Sequence, residues 1–296
     1  MQDIIVFLNG TRGIEVIKKL KEFGHGILTS VIPLTKKYDL VHRELKNLDI
    51  NCLRFNNVND EDSISHLKTY NAKLFIIAGY STIFKKELLN IPQEGTINLH
   101  AGRLPEYRGG SPLNWQIING ETKAVISVIK VEEGIDVGQV LQDQNILINT
   151  SSTIRDLHDQ ANKLFPQLVI NIIDKFDKTG KISGRIQNEK NAVYWHQRSD
   201  DDGHINFKKL EVNQANRLVR ALTKPYPGAW AFFEKKKVRI FSTEFPRFDL
   251  RGVPGRICYF QNQGPYIICK DKALLIKEYL IENYPDMKLK HGKNLI

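Results

Sequence analysis

Two unbroken apolar runs in the first eighty residues, with strand-like and helix-like segments alternating between them, constrain this chain more than any other feature. Ile4 to Leu8 is unbroken apolar sequence, the pattern of a strand buried on both faces in a parallel sheet. Asn9-Gly10-Thr11-Arg12-Gly13 follows, then a helix from about Ile14 to Phe23 that sets Ile14, Ile17 and Leu20 against Lys18, Lys19 and Lys21 and stops at Gly24. Ile27 to Pro33 reads as a second strand, Thr35 to Leu48 as a polar loop and helix, and Ile50 to Phe55 as a short third strand. Glu61 to Thr69 reads as helix and Leu74 to Ala78 as another buried strand, with Gly79 to Phe84 closing it and starting the next helix. This alternation predicts a doubly wound, Rossmann-like α/β domain through about residue 180. The loop after the first strand lacks the G-x-G-x-x-G spacing of a dinucleotide site. A glycine-bearing loop at a helix start suits a phosphate, although short polar loops there are universal in this architecture.

The last helix of that domain is expected from a Thr153 cap to about Phe176, with a kink at Pro166, and Gly180 to Asn191 is a polar crossover. The composition then changes. Tyr194-Trp195-His196, an acidic Asp200-Asp201-Asp202-Gly203 turn, a short helix from Asn213 to Leu222 and Lys224-Pro225-Tyr226-Pro227-Gly228-Ala229-Trp230 lead into short strands. Those strands, Val238 to Ser242, Arg256 to Phe260, Tyr266 to Lys270 and Ala273 to Ile276, suggest a small β-barrel. The expected division is residues 1–190 and residues 191–296. Residues 181 to 296 hold 22 Lys plus Arg against 12 Asp plus Glu, so the whole excess of a chain of net charge +10 lies there. A basic domain suits a polyanion such as RNA, or simply presents a solvated lysine face.

Composition excludes several classes. The longest apolar run is a few residues and the first residues lack a basic segment before a long apolar stretch, so neither a membrane span nor a signal peptide is expected, and the chain is expected to be cytoplasmic. Cys52, Cys258 and Cys269 are odd in number, without C-x-x-C spacing or grouped histidines, which predicts free thiols and no metal.

The chemistry concentrates between Ile97 and Asp136. Asn98 and His100 lie two apart in a short strand and therefore share a face. Glycine and proline punctuation from Ala101 to Gly110 ends that strand in a loop, and strand ends of open α/β sheets are where ligands bind. Ser111-Pro112 starts a helix that Gly120 closes. A strand from Ala124 to Val131 leads to the Glu132-Glu133-Gly134-Ile135-Asp136 turn, which returns Asp136 to the sheet edge of His100 as an orienting carboxylate or proton acceptor. Singly, a histidine at a strand end and an aspartate in a turn are usually structural. Together they make an amide, an imidazole and a carboxylate at one edge.

Asn-x-His, then Leu-Pro-x-Tyr-Arg-Gly, then an Asp in a Gly-Ile-Asp-x-Gly turn resembles the 10-formyltetrahydrofolate-dependent formyltransferase family, over nearly the whole chain. The Pro-Tyr-Pro-Gly-Ala-Trp segment and Gly292-Lys293 are similar to the OB-like C-terminal barrel of its methionyl-tRNA and sugar formyltransferase branches. The Ala101-Gly102-Arg103 segment departs from the family's usual wording before Leu-Pro. The resemblance implies formyl transfer from 10-formyltetrahydrofolate to a primary amine, with Asn98, His100 and Asp136 as catalytic residues. It implies a pterin slot along Ser81, Ile83, Phe84, Leu104, Val131 and Ile135. Ile83 and Phe84 read equally well as core at a helix start.

The resemblance also implies an acceptor near Asn9, Thr11 and Arg12, and Tyr107, Arg108 and Trp115 are further substrate candidates; Trp115 reads as well as a packing residue. Methionyl-tRNA enzymes usually carry a glycine- and lysine-rich insertion after the second strand, where this chain has only Pro33-Leu34-Thr35-Lys36-Lys37-Tyr38-Asp39. With Ser111-Pro112-Leu113-Asn114-Trp115, that wording is more similar to enzymes formylating amino sugars on a nucleotide, used in surface polysaccharide (O-antigen) synthesis. Methionyl-tRNA is the alternative acceptor, and the resemblance makes a homodimer an expectation.

Overall fold

A computed structural model describes residues 1–260 and 262–296. In chain order its elements begin β1 (Ile4–Leu8), α1 (Thr11–Glu22), β2 (Ile27–Pro33), α2 (Asp39–Asn47), β3 (Cys52–Phe55), α3 (Glu61–Lys68) and β4 (Leu74–Ala78). They continue α4 (Lys86–Leu89), β5 (Thr96–His100), β6 (Arg108–Gly109), α5 (Pro112–Ile118), β7 (Lys123–Lys130), β8 (Val140–Leu147), α6 (Ile154–Thr179) and β9 (Tyr194–Trp195). α7 (Val212–Leu222) and β10 (Ala229–Phe233), β11 (Lys236–Glu244), β12 (Ile257–Phe260), β13 (Gln263–Ile268) and β14 (Ala273–Ile281) complete the chain.

The residues divide into two compact units. The first comprises Met1–Pro112, Val125–Ile146 and Asp159–Trp195; the second comprises Leu113–Ala124, Leu147–His158 and His196–Ile296. The second unit takes in two earlier segments that no shift in composition marks.

In the first unit a sheet runs in the order β3-β2-β1-β4-β5-β7-β8. β1, β2, β3, β4 and β5 pair in parallel, and β7 lies antiparallel to β5. Every residue of β1 and of β4 is buried, as continuous apolar runs in a covered parallel sheet require. The chain moves outward from β1 to β3 and then returns to β4 on the other side of β1, so the strand order reverses between β1 and β4. Such a switch leaves a crevice at the carboxyl ends of the strands, the end where β5 delivers His100.

Two local expectations change. α1 starts at Thr11, three residues before the expected Ile14, because Gly10 is extended (φ −177°) and serves as the cap while Gly13 continues the helix. A Cβ on Gly13 would lie 2.2 Å from the Leu8 Cβ, so glycine is what lets this turn approach β1. The Gly79–Phe84 segment does not begin a helix, and α4 spans only Lys86–Leu89. Tyr80 and Phe84, four apart, instead turn into the core against Phe7, with ring centroids 5.8 and 4.8 Å away. Burial pushes the Tyr80 phenol up to about 12. α6 begins at a reciprocal cap, Thr153 N and Oγ1 donating to Asp156 Oδ2 at 2.8 and 2.7 Å, and extends through Pro166 to Thr179.

The second unit contains a five-stranded antiparallel sheet, β10-β11-β14-β13-β12. Its two edge strands meet the same terminal segment: Phe232 of β10 and Ile296 exchange backbone hydrogen bonds at 2.6 and 2.9 Å, and Ile257 N of β12 donates to the Lys293 carbonyl at 2.8 Å. The last residues thereby close the sheet into a small barrel and cover its open edges. α7 carries a capping box of Glu211 and Gln214. Among the described residues no helix is long and apolar enough to cross a membrane, and no group of three metal-ligating side chains converges. Cys52, Cys258 and Cys269 are free thiols, and burial pushes Cys269 up to about 12.

One ion cluster in this unit gives a pH prediction. Asp200 Oδ2 accepts from Lys237 at 2.8 Å and from Arg239 Nη2 at 3.0 Å, and the Arg239 guanidinium foremost holds its carboxyl down at about 2. A carboxyl depressed by folding adds stability above its unfolded value of about 4, which fades as pH falls toward 2. The Asp200 side chain is 39% exposed, so solvent screening leaves only a fraction of what a buried pair would give. Thermal melting is expected to separate the wild type from Asp200→Asn at pH 6, with the gap closing toward pH 2.5; a gap independent of pH would exclude the ion pair as its cause.

Candidate active site

β5 ends in Asn98-Leu99-His100, and strand alternation places the Asn98 and His100 side chains on one face. His100 is 6% exposed, with Nε2 2.6 Å from the Tyr107 carbonyl and Nδ1 3.4 Å from Asp136 Oδ2. A carbonyl only accepts, so Nε2 carries a proton, and Nδ1 is the ring atom left facing the carboxylate. The Asn98 amide is half-buried and has no side-chain partner among the described residues, which leaves its donors available to a ligand.

Asp136 arrives on the turn after β7 with a left-handed backbone (φ +55°). Its Oδ2 also accepts from the Gly109 backbone N–H at 2.9 Å. Gly102 is required beneath the imidazole: a Cβ there would lie 2.6 Å from His100 Nε2 and 2.8 Å from the Tyr107 carbonyl oxygen. The Gly102 carbonyl is in turn bound by the buried Ser127 hydroxyl at 2.8 Å.

The remaining candidates separate. Tyr107 is buried and stacked on Trp195, ring centroids 5.6 Å apart and planes 11° from parallel, so its backbone carbonyl rather than its ring faces the site. Arg108, expected at the substrate, is 0% exposed with its donors committed to Gln187, Glu189 and Tyr194, and cannot also bind a ligand. Arg12 lies over the Phe165 ring at 4.8 Å and donates to Asn162 Oδ1 at 3.3 Å, both on α6. Thr11 is exposed at the first turn of α1, and Asn9 is half-buried at the end of β1, its Oδ1 next to Gly79. Trp115 belongs to the second unit, where its Nε1 donates to the His196 carbonyl at 3.1 Å and Arg198 lies over its ring at 5.7 Å.

Of the expected pterin-slot residues, Phe84 is 6% exposed within the core cluster around Phe7 and is a packing residue. Leu104 is likewise buried, against Ile129 and Val140, and Val131 packs partly against the Phe7 cluster. Ile83 and Ile135 are 69% and 48% exposed, and Ser81 is exposed. Ile83 and Ile135 follow β4 and β7, the two strands that flank β5.

Sequence reasoning did not reach Gln187 or the Gly109 amide. No local pattern marks Gln187, a single glutamine in a polar crossover; Gly102 was visible only as part of a segment that departs from the family wording.

With the geometry established, residues 4–173 match the family described as formyl transferase, and residues 197–292 match the formyl transferase C-terminal domain. The chain belongs to the formyl transferase family. These are formyl transfer enzymes, and formyltetrahydrofolate is the formyl donor of the family. A methionyl-tRNA formyltransferase of Caldanaerobacter subterraneus is 32% identical over 218 residues, covering 74% of this chain and 66% of the relative. An N-formyltransferase from Helicobacter canadensis, solved with folinic acid and dTDP-3-aminofucose, has a TM-score of 0.70 at 17% identity and covers 94% of this chain and 100% of its own. HypX from Aquifex aeolicus, solved with tetrahydrofolic acid, has a TM-score of 0.68 at 16% identity over 97% of this chain. This formyl transferase spans 45% of the HypX chain, and the two structural likenesses bear on fold alone.

Proposed function

We propose that this chain transfers the formyl group of 10-formyltetrahydrofolate to the primary amine of a thymidine- or uridine-linked amino deoxysugar, a step in making surface polysaccharides such as O-antigen. The observation that carries the formyl chemistry is the convergence of an unpartnered amide, a buried imidazole and a turn carboxylate at the end of β5. The acceptor class rests on the short connection from β2 to α2, only Leu34 to Tyr38, where tRNA enzymes of the family usually carry a basic insertion. It rests also on the Ser111-Pro112-Leu113-Asn114-Trp115 wording of α5 and its approach.

The residues present suit a folate donor. Ile83 and Ile135, in the segments that follow β4 and β7, leave apolar surface exposed that suits a flat heteroaromatic ring, and the Asn98 amide keeps its donors available. When bound, the folate supplies an electrophilic formyl carbon. Asn98 donates a hydrogen bond to the oxygen on which negative charge develops. Asp136 would accept the proton that the attacking amine loses, directly or through His100 or a water, and that proton would pass to the folate nitrogen as its bond to the formyl carbon breaks, while the Tyr107 carbonyl holds the His100 proton on Nε2 and leaves Nδ1 facing Asp136.

Methionyl-tRNA is the second reading, favoured by the identity to a tRNA enzyme and by the basic residues gathered after position 180. The deciding experiment follows formyl transfer by product mass against a panel of thymidine- and uridine-linked amino sugars alongside methionyl-tRNA. Formylation of a sugar nucleotide with tRNA untouched is the expected result; formylation of tRNA alone would overturn the acceptor assignment and leave the donor chemistry standing.

A further inference from the structure

Asp136 is held from behind by a buried pair that the reaction does not touch. Gln187 is 5% exposed, and its Nε2 donates to the backbone carbonyls of Asp136 and Gly138, each at 2.7 Å. Its Oε1 accepts from Arg108 Nε at 3.1 Å and from Arg108 Nη2 at 2.9 Å. A guanidinium only donates, so the orientation of the Gln187 amide follows from chemistry, and both of its amide hydrogens point at the Asp136 turn. Arg108 spends its other donors on the two Glu189 carboxylate oxygens at 2.9 and 2.6 Å and on the Tyr194 hydroxyl at 2.8 Å.

This is a costly arrangement for packing alone. A fully buried cation is tolerated only when its donors are satisfied, and its one acidic partner among the described residues, Glu189, is 68% exposed. The arrangement gains in return the placement of one strained turn. Asp136 sits at φ +55°, and Gly138 is pressed so close to β7 that a Cβ would lie 1.7 Å from the Lys130 carbonyl oxygen. The carboxylate is thus fixed from the front by the Gly109 amide and from behind by Gln187, leaving Oδ2 3.4 Å from His100 Nδ1.

We propose that Arg108 and Gln187 are positioning residues that set the Asp136 carboxylate against His100 for proton transfer, an inference that rests on the reading of the site given above. Neither touches a substrate. Arg108 orients Gln187, and Gln187 orients the Asp136 turn.

Gln187→Glu separates this role from simple packing. A glutamate still accepts from Arg108, but once ionised its second oxygen faces the two carbonyls as a further acceptor, so the Arg108 side of the pair survives while the arm to the turn turns from attraction to repulsion. Displacement of a reacting group by about 1 Å costs on the order of 100-fold. The expected result is a fall in kcat of roughly 10- to 100-fold with KM for both substrates within about twofold. Nitrogen NMR of the His100 ring, recorded without any substrate, is expected to move as Nδ1 loses its fixed carboxylate. Arg108→Lys, which keeps the charge but not the fork, is expected to shift the ring signals in the same direction and serves if Gln187→Glu does not fold. A folded variant whose ring signals match the wild type overturns the proposal, as does a shifted ring with unchanged kcat. Wild-type protein without formyl transfer would refute the functional reading, and the substrate-free ring signals would still decide whether the pair positions Asp136.

Discussion

Replacing Asn98 by alanine is expected to lower formyl transfer by roughly 100- to 1,000-fold while leaving thermal stability almost unmoved, since one donor to a developing oxyanion contributes about that much. The separation follows from the structure: the Asn98 side chain has no partner among the described residues, so its removal breaks no hydrogen bond within the protein. His100→Ala should match or exceed the loss of activity, but it also removes a 6% exposed ring and its hydrogen bond to the Tyr107 carbonyl, so it lowers the melting temperature as well. The KM for the amine acceptor should change little in Asn98→Ala, because a donor that strengthens in the transition state acts on kcat. Full activity in a folded Asn98→Ala protein would exclude the amide from the chemistry.

How much of this was legible in the sequence depends on how local each constraint is. β1 and β4 fall at the bounds their apolar runs gave, because a strand buried on both faces needs nothing beyond its own composition to be recognised, and β2 falls at its expected bounds although Thr29 and Ser30 interrupt its apolar residues. β8 was missed for the opposite reason. As the last strand in the sheet order it buries only Val140 and Ile146 and exposes Asp143, Gln144 and Asn145, so it shows neither an apolar run nor strict alternation. The helix start expected over Gly79 to Phe84 is instead a loop that folds the Tyr80 and Phe84 rings onto Phe7, a tertiary contact that no local pattern announces.

The site divides in the same way. Asn98 and His100 share a face by strand geometry alone, and the glycine-marked turn brings Asp136 back beside them. Arg108 stood out within its motif, yet its role was misread, because a motif gives an arginine's identity and not the direction of its guanidinium. Gln187 could not be found at all. Its partners lie 49 and 51 residues earlier, and only the folded crossover brings them together.

Replacing Gly109 should damage site and fold together. Its φ of +91° lies where side chains are strained, and a Cβ would stand 2.3 Å from the Trp195 carbonyl oxygen, a backbone atom of β9 that has no rotamer by which to move away. Gly109→Ala therefore adds a steric cost to the backbone cost, together about 2–5 kcal/mol. Its N–H is also the front support of Asp136, so movement of this strand carries the carboxylate with it. Gly180→Ala makes the comparison: φ there is +67°, but nothing lies within 4 Å of the added carbon, so only the backbone term of about 1–2 kcal/mol applies. Denaturant melts of the two variants should differ by the steric part, about 1–3 kcal/mol, and Gly109→Ala alone should lose activity, by about 10-fold or more at temperatures where it remains folded. Equal melts would mean that β9 yields to the new methyl group, and Gly109 would then matter for its conformation only.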